Sequence, residues 1–219
     1  MPVNSSQSPP LVVAAFDFDG TLTRRDTLVP YLIRALGWPQ FLRALLRAFP
    51  DLAGYALGFV TNDVAKQQLL RLTLKNRSIT EVEGWTKRWV AKELTSRLRA
   101  WTLAHLARHQ KERHHCVMVS ASPDIYLKRV AQKLGFDALI CTEMEILDEK
   151  FTGEMRGPNC FGEQKAIRLR QHLAQKFGAA RAEHAVIHAY GDSDGDLALL
   201  KMADHAWYRS KPWVQKPGT

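Results

Sequence analysis

Three short polar clusters hold the residues best able to do chemistry: Asp17, Asp19 and Thr21; Ser120 and Ser122; and Asp192, Asp194 and Asp196. A lysine, Lys165, follows the turn Asn159-Cys160-Phe161-Gly162. Each cluster ends a run of apolar residues, 11–16, 116–119 and 185–190. In a parallel sheet the strand C-termini share one edge, and ligands of open α/β sheets bind there, so clusters distant in sequence can converge. Carboxylates gathered in this way repel one another unless a cation or a proton intervenes. Oxygen donors of this kind suit Mg²⁺. A hydroxyl and an ammonium opposite the cation would complete a clamp for a phosphoryl group, whose transfer is catalysed mainly by positioning and electrostatics. One carboxylate could itself attack phosphorus and carry it as an aspartyl phosphate. Plainer readings exist for each part. Asp-x-Asp also occurs in metal-dependent sugar transferases and in simple turns. Ser120 could cap a helix, and Lys165 could lie along a helix surface. Asp194 reads as a loop or cap residue, and His184, His188, His114 and His115 as structural or solvent-facing.

Such clusters need a sheet whose strands end together. Residues 11–17 read as a buried strand, β-rich and unalternated, as in a parallel sheet covered on both faces. Residues 116–119, 136–141 and 185–190 predict three more strands, and a short one near Ala206 completes the core. Helices are expected from Pro123 to about Leu134, from Gly162 to Phe177, and from about Leu197. Residues 146–155 alternate around Asp148-Glu149-Lys150 and predict a hairpin. Between Asp26 and His109 there is almost no strand signal. Apolar residues recur at helical spacing over 28–36 and 41–49, and further helices are predicted over 64–74 and 80–109. Thr80, ahead of Glu81 and Glu83, reads as the start of the last one. Gly37-Trp38-Pro39 and Pro50-Asp51 punctuate the series. The expected architecture is α/β: a Rossmann-like, doubly wound parallel sheet from 11–24 and 110–212. A helical cap is inserted over 25–109, and tails lie at 1–10 and 213–219.

With 219 residues, the chain can form one core with an inserted subdomain. Its formal net charge of +9 favours an anionic partner, but the Lys and Arg are scattered, which argues against a dedicated nucleic-acid arm. The cysteines Cys116, Cys141 and Cys160 form no Cys-x-x-Cys, which argues against structural zinc and a disulfide framework. The first ten residues are polar and bear proline, unlike a signal peptide. The apolar window 52–60 falls well short of the roughly 20 residues that a membrane span needs. A cytoplasmic protein is expected.

Taken in order, Asp17-Phe18-Asp19-Gly20-Thr21, Ser120, Lys165, and Gly191-Asp192 with Asp196 resemble the four motifs of the haloacid dehalogenase superfamily. The helical insert looks like that superfamily's first-position (C1) cap. The phrase from Asp19 to Thr27, with Asn159-Cys-Phe-Gly-Glu-Gln-Lys165, is similar to the subfamily IB hydrolases, which include phosphoserine phosphatases. The resemblance runs from Leu11 to about Arg209. It implies a Mg²⁺-dependent phosphomonoester hydrolase acting through an aspartyl phosphate. Asp17 would be the nucleophile, and Asp19 would protonate the leaving oxygen and then deprotonate water. The carboxylates of Asp17 and Asp192 and the backbone carbonyl of Asp19 would hold Mg²⁺, with Asp196 orienting the metal or its waters. Ser120 and Lys165 would bind the phosphoryl oxygens, helped by backbone N–H groups near Gly20 and Ala121. Thr21 would support the first loop.

The resemblance also bears on the substrate. Phosphoserine phosphatases carry a Glu nine residues beyond the nucleophile, where this chain has Asp26, one methylene shorter. Where they carry an arginine for the substrate carboxylate, this chain has Val64, with Lys66 nearby. The phrases Thr-x-x-Asp-Thr and Asn-Cys-x-Gly-x-x-Lys are closer to a second branch that includes phosphatidylglycerophosphate phosphatases. Residues 41–49 and 52–60 are apolar, with Arg34, Arg43 and Arg47 beside them, a pattern able to touch an anionic membrane peripherally. The expected substrate is a small or lipid-linked phosphate monoester. The alternatives are a degenerate domain that only binds a phospholigand, which the intact pair Asp17/Asp19 disfavours, and a phosphotransferase.

Overall fold

The computed structural model describes residues 10–59 and 61–214. Its centre is β1 (Val12–Phe16), whose side chains are buried on both faces of the sheet apart from the half-buried Val12. Val13 and Ala15 face one apolar cluster, and Ala14 and Phe16 face the other. Two covered faces explain why the run is apolar without alternation. β1 pairs in parallel with β2 (His115–Pro123) on one side and with β6 (Val186–Gly191) on the other. Outside these lie β3 (Ala138–Thr142), β7 (His205–Tyr208) and β8 (Lys211–Trp213), giving the order β3-β2-β1-β6-β7-β8 with only β8 antiparallel. Strand order reverses around β1, the place where doubly wound sheets open a crevice. Helices α7 (Asp124–Leu134) and α8 (Glu163–Phe177), with the short α9 (Ala179–Glu183) and α10 (Leu197–Lys201), belong to the core. The doubly wound α/β architecture is as expected; β8 and α9 are additions too short to have a periodic signature.

The insert between β1 and β2 holds α1 (Leu28–Leu36), α2 (Trp38–Ala56), α3 (Asn62–Leu74), α4 (Ile79–Lys92), α5 (Leu94–Arg97) and α6 (Ala100–Lys111). Three expectations need correction here. The helix read over 80–109 is three helices, because Leu98 and Arg99 are extended and pair with the loop after β1: Arg99 N–H donates to Leu22 O, and Arg24 N–H to Arg97 O, both at 2.9 Å. The chain therefore enters and leaves the insert through one paired crossing. Pro50 does not end a helix, since α2 runs through it. A proline costs one backbone bond and a clash in the preceding turn, and the helix continues across it. Ser78 caps α4 in place of Thr80, its Oγ accepting from Glu81 N–H at 3.2 Å. The predicted hairpin is present as β4 (Met144–Leu147) and β5 (Lys150–Met155), turning at Asp148 and Glu149. It packs on α3, where Gln67 binds Gly153 O and Met155 N–H.

Five of the eight histidines gather on one face of β6 and α6, against Tyr190 and Trp207. His109 sets its ring nitrogens 2.9 Å from the Tyr190 hydroxyl and 2.8 Å from His114 Nδ1, while His188 Nδ1 is buried without a partner among the described residues. Burial, then neighbouring histidines, lowers His109 and His188 to about 4 from 6.5. Between those values the unfolded chain binds more protons, so protonation costs the fold nothing above about 6.5 and destabilises it progressively as pH falls toward 4. His188→Phe keeps an aromatic ring and removes the proton acceptor. Its melting temperature should match or exceed wild type at neutral pH, and its advantage should widen with acidification through that window. Parallel pH profiles for the two proteins would contradict this. The comparison with the variant is needed because carboxylates of the cleft described below titrate with the opposite sign.

Candidate active site

The C-terminal ends of β1, β2 and β6 open into a cleft of about 550 Å³ lined by Asp17, Asp19, Ser120, Ala121, Lys165 and Asp192, among others. Asp17 is the first residue past β1, buried, with its N–H donating to Tyr190 O at 2.9 Å. The Lys165 ammonium lies 2.6 Å from Asp17 Oδ1 and 2.5 Å from Asp196 Oδ1, and all three side chains are almost wholly buried. Asp196 Oδ2 accepts from Asp192 N–H, Ser193 N–H and Ser193 Oγ at 2.9–3.1 Å. Burial pushes Asp196 up, but Lys165 and these donors outweigh it and hold its carboxyl below the usual range. Burial likewise works against the Lys165 charge, and its two carboxylate partners hold it above the ordinary lysine value. Asp17 goes the other way: burial, then the charge of Asp196, raises it well above a normal aspartate despite Lys165.

The hydrogen bonds assign roles within the cluster. Asp17, Asp192 and Asp196 bring carboxylate oxygens within 4.8 Å of one another. Both oxygens of Asp196 are already engaged, so it braces the loop and orients Lys165. Asp17 keeps Oδ2, and Asp192, held by Thr21 Oγ1 at 3.2 Å, is half-buried and also raised by burial and by Asp196. Three carboxylates, Asp17, Asp192 and Asp196, gather around the one buried ammonium of Lys165, an excess of negative charge that a hard divalent cation would relieve. The donor set fits Mg²⁺.

Asp19 points away from that cluster. Its Oδ1 accepts from Thr27 N–H and Oγ1 at 2.8 and 2.7 Å, and its Oδ2 from Ser122 Oγ at 2.5 Å. Burial, then the charge of Asp26, raises it to about 6, with the Ser122 and Thr27 hydrogen bonds pulling it down. Ser120 Oγ accepts from Ser122 N–H at 3.1 Å, so it organises its own loop; α7 starts later and takes no cap from it. Asp26 lines the cleft and caps α1, accepting from Leu28 N–H at 3.1 Å. Asp194 lies exposed in the turn after β6, outside the carboxylate cluster.

Gly20 has a positive φ of 81°, and a Cβ there would sit 2.2 Å from Asp192 Oδ2. Its N–H donates to Thr23 Oγ1 at 3.2 Å, so its contribution is the close approach of the two loops more than a free donor. Gly20→Ala should cost about 1–3 kcal/mol from backbone strain and displace Asp192. We expect Mg²⁺ affinity, read by calorimetry, to fall with the melting temperature; unchanged affinity would contradict the packing argument.

Lys66, Asn159 and Phe161 enter the site without having been assigned from sequence. Lys66 extends from α3 to Asn159 Oδ1 at 2.8 Å and to Ala121 O, while Asn159 Nδ2 donates to Asp63 at 2.7 Å. These bonds hold the insert against the core loops. Burial lowers Lys66 to about 8, opposed by the carboxylates of Asp19 and Asp63. Lys66 had been noted only as a neighbour of Val64, which itself is exposed and absent from the cleft lining. The contacts join α3 to loops 55 to 96 residues away, so no local pattern marks them.

This geometry has relatives. Residues 14–201 match the family model of haloacid dehalogenase-like hydrolases. Protein CicA of Caulobacter vibrioides is 33% identical over 201 residues, which cover 91% of this chain and 86% of that protein. A Bordetella pertussis Tohama I protein of unknown function superposes with a TM-score of 0.77 at 25% identity, covering 90% of this chain and 89% of that one. A phosphoserine phosphatase solved as a phospho-aspartyl intermediate analogue shares the fold, with a TM-score of 0.60 at 20% identity over 90% of this chain and 85% of its own. With a family model spanning most of its length and a relative one-third identical over nearly all of it, the chain belongs to the haloacid dehalogenase-like hydrolases.

Proposed function

We propose that the protein is a Mg²⁺-dependent phosphomonoesterase of the subfamily IB type, working through an aspartyl phosphate on Asp17. The observation that carries this reading is the split between Asp17 and Asp196, which share the Lys165 ammonium but differ in what else they bind. Asp196 is saturated with donors, and Asp17 keeps an oxygen directed to the cleft. The carboxylates of Asp17 and Asp192, with the Asp19 backbone carbonyl, would hold the ion. When bound, Mg²⁺ neutralises these carboxylates and draws charge from the phosphoryl oxygens. Lys165, Ser120 and the backbone at Ala121 orient the phosphoryl group, and Asp17 Oδ2 attacks phosphorus in line with the leaving oxygen. Asp19, held by Ser122 and Thr27, gives that oxygen its proton and then takes one from the water that cleaves the acyl phosphate. A carboxyl raised to about 6 can do both near neutral pH.

The substrate is a phosphate monoester whose leaving group meets a mixed mouth. Arg24, Arg25 and Asp26 provide charge there, and Val29, Leu52 and Phe161 provide apolar surface. That mixture favours a lipid-linked phosphate, as in the phosphatidylglycerophosphate phosphatase branch, over free phosphoserine. The test is phosphate release from a panel of phosphoserine, sugar phosphates, an aryl phosphate and phosphatidylglycerophosphate, with and without Mg²⁺. Metal-dependent release that is fastest on the lipid ester is expected. Release unaffected by chelator, or none from any ester by folded, Mg²⁺-loaded protein, would overturn the reading.

A further inference from the structure

Helix α2 has three distinct sides. Phe41, Ala44 and Ala48 are buried against the insert. Trp38, Leu42, Leu46 and Phe49, three or four residues apart, share another side and are 67%, 49%, 66% and 65% exposed. Arg43 and Arg47 lie exposed on the third. The turn beyond the helix adds Leu57 and Phe59, 72% and 84% exposed. Soluble proteins seldom leave a contiguous apolar surface of this kind in water, and such surfaces mark interaction sites.

We propose that this stripe docks the protein on an anionic phospholipid bilayer, with α2 lying in the headgroup region and its apolar side among the acyl chains. Charge is the first reason. No acidic residue stands between Asp26 and Asp51, whereas Arg43 and Arg47 do, as does Arg34, which pairs with Glu93 at 3.4 Å, on a chain of net charge +9. Basic residues flanking an apolar helix side fit an anionic interface, where apolar burial and electrostatic attraction add. Continuity is the second. Leu52, one turn beyond Phe49 on the same helix, lines the catalytic cleft, as do the exposed Arg24, Arg25 and Val29. A protein held by this stripe keeps the cleft mouth at headgroup level. The stripe is a convex row of side chains on one helix, a shape suited to a fluid surface. The docking stands on the surface alone. Its consequence, that the phosphate ester is presented by the bilayer, rests on the phosphatase reading above.

Full-length protein would be sedimented with vesicles of phosphatidylcholine alone and of phosphatidylcholine mixed with phosphatidylglycerol, at low and high salt. Binding to the mixed vesicles, weakened by salt, is expected, with little binding to phosphatidylcholine. The double substitution Leu46→Ser, Phe49→Ser should reduce binding about tenfold or more, and Arg43→Gln with Arg47→Gln should remove the preference for anionic lipid. Hydrolysis of a soluble aryl phosphate should be unchanged in both variants, since none of these side chains lines the cleft. Failure of wild type to bind anionic vesicles would overturn the proposal, as would equal binding by the Leu46/Phe49 variant. So would a dimer in solution that this variant converts to monomer, because a second copy would then cover the stripe. Aryl phosphate hydrolysis without vesicle binding refutes the docking alone; vesicle binding without hydrolysis of any ester refutes the phosphatase reading and leaves the docking standing.

Discussion

Asp17→Asn should lower turnover by about 10⁴-fold or more while leaving the protein as stable as wild type or slightly more stable. The activity loss follows if Asp17 Oδ2 is the attacking atom, because an amide oxygen neither forms the acyl phosphate nor supplies charge to the cation. The stability result is the more unusual half. Removing a buried polar group commonly destabilises, but here burial and Asp196 already push the Asp17 carboxyl well above its usual range. A group with its folded value raised opposes folding as pH rises through that window, so a neutral isostere relieves the fold at and above neutral pH. Lys165 keeps Asp196 at 2.5 Å, and the Asp17 N–H bond to Tyr190 O is backbone and survives. Thermal melts with phosphate-release assays on both proteins would check this. A large drop in melting temperature would contradict the electrostatic account, and retained turnover would remove Asp17 as nucleophile.

Lys165→Met should do the opposite to stability. Lys165 is 2% exposed, and its ammonium is the shared partner of two buried carboxylates. Methionine fills similar volume and leaves both charges without it. Breaking a buried pair from one side typically costs about 3–5 kcal/mol, and each kcal/mol moves the melting temperature by about 2–4 °C in a chain of this size. Turnover should fall as well, since the phosphoryl group loses its cationic contact. Adding Asp17→Asn to Lys165→Met should recover part of the lost stability, because one uncompensated charge disappears, and should recover no activity. A Lys165→Met protein that melts with wild type would show the lysine to be dispensable for the fold.

These contrasting expectations concern residues that sequence made visible, and the reason is physical. Asp17, Ser120 and Asp192 lie at the ends of apolar runs, with Asp196 one turn beyond the last, and a parallel sheet must bring such ends to one edge. Lys165 was legible through the resemblance of the phrase Asn159–Lys165 to the subfamily IB hydrolases. What sequence did not reveal lies in contacts across the insert. Lys66 on α3 finds Asn159 and Ala121 only once the insert folds over the core. Ser122 was seen as part of a cluster, but its bond to Asp19 depends on how β2 bends past Ser120. The misread helix over 80–109 has a related cause. Its apolar residues keep helical spacing, and Leu98 and Arg99 are extended because this stretch pairs with the loop after β1, Arg99 bonding to Leu22 O and Thr23 O. Pro50 shows the reverse, a local breaker that α2 passes through.

The central claim is that Asp17 itself carries the phosphoryl group. The most direct measurement is to quench the Mg²⁺-loaded enzyme during turnover of its best ester, reduce any acyl phosphate with borohydride, and sequence the peptides by mass spectrometry. We predict homoserine at Asp17, absent when substrate is omitted and absent in Asp17→Asn. Turnover with an unmodified Asp17, or reduction at Asp19 or Asp192 in its place, would contradict the account.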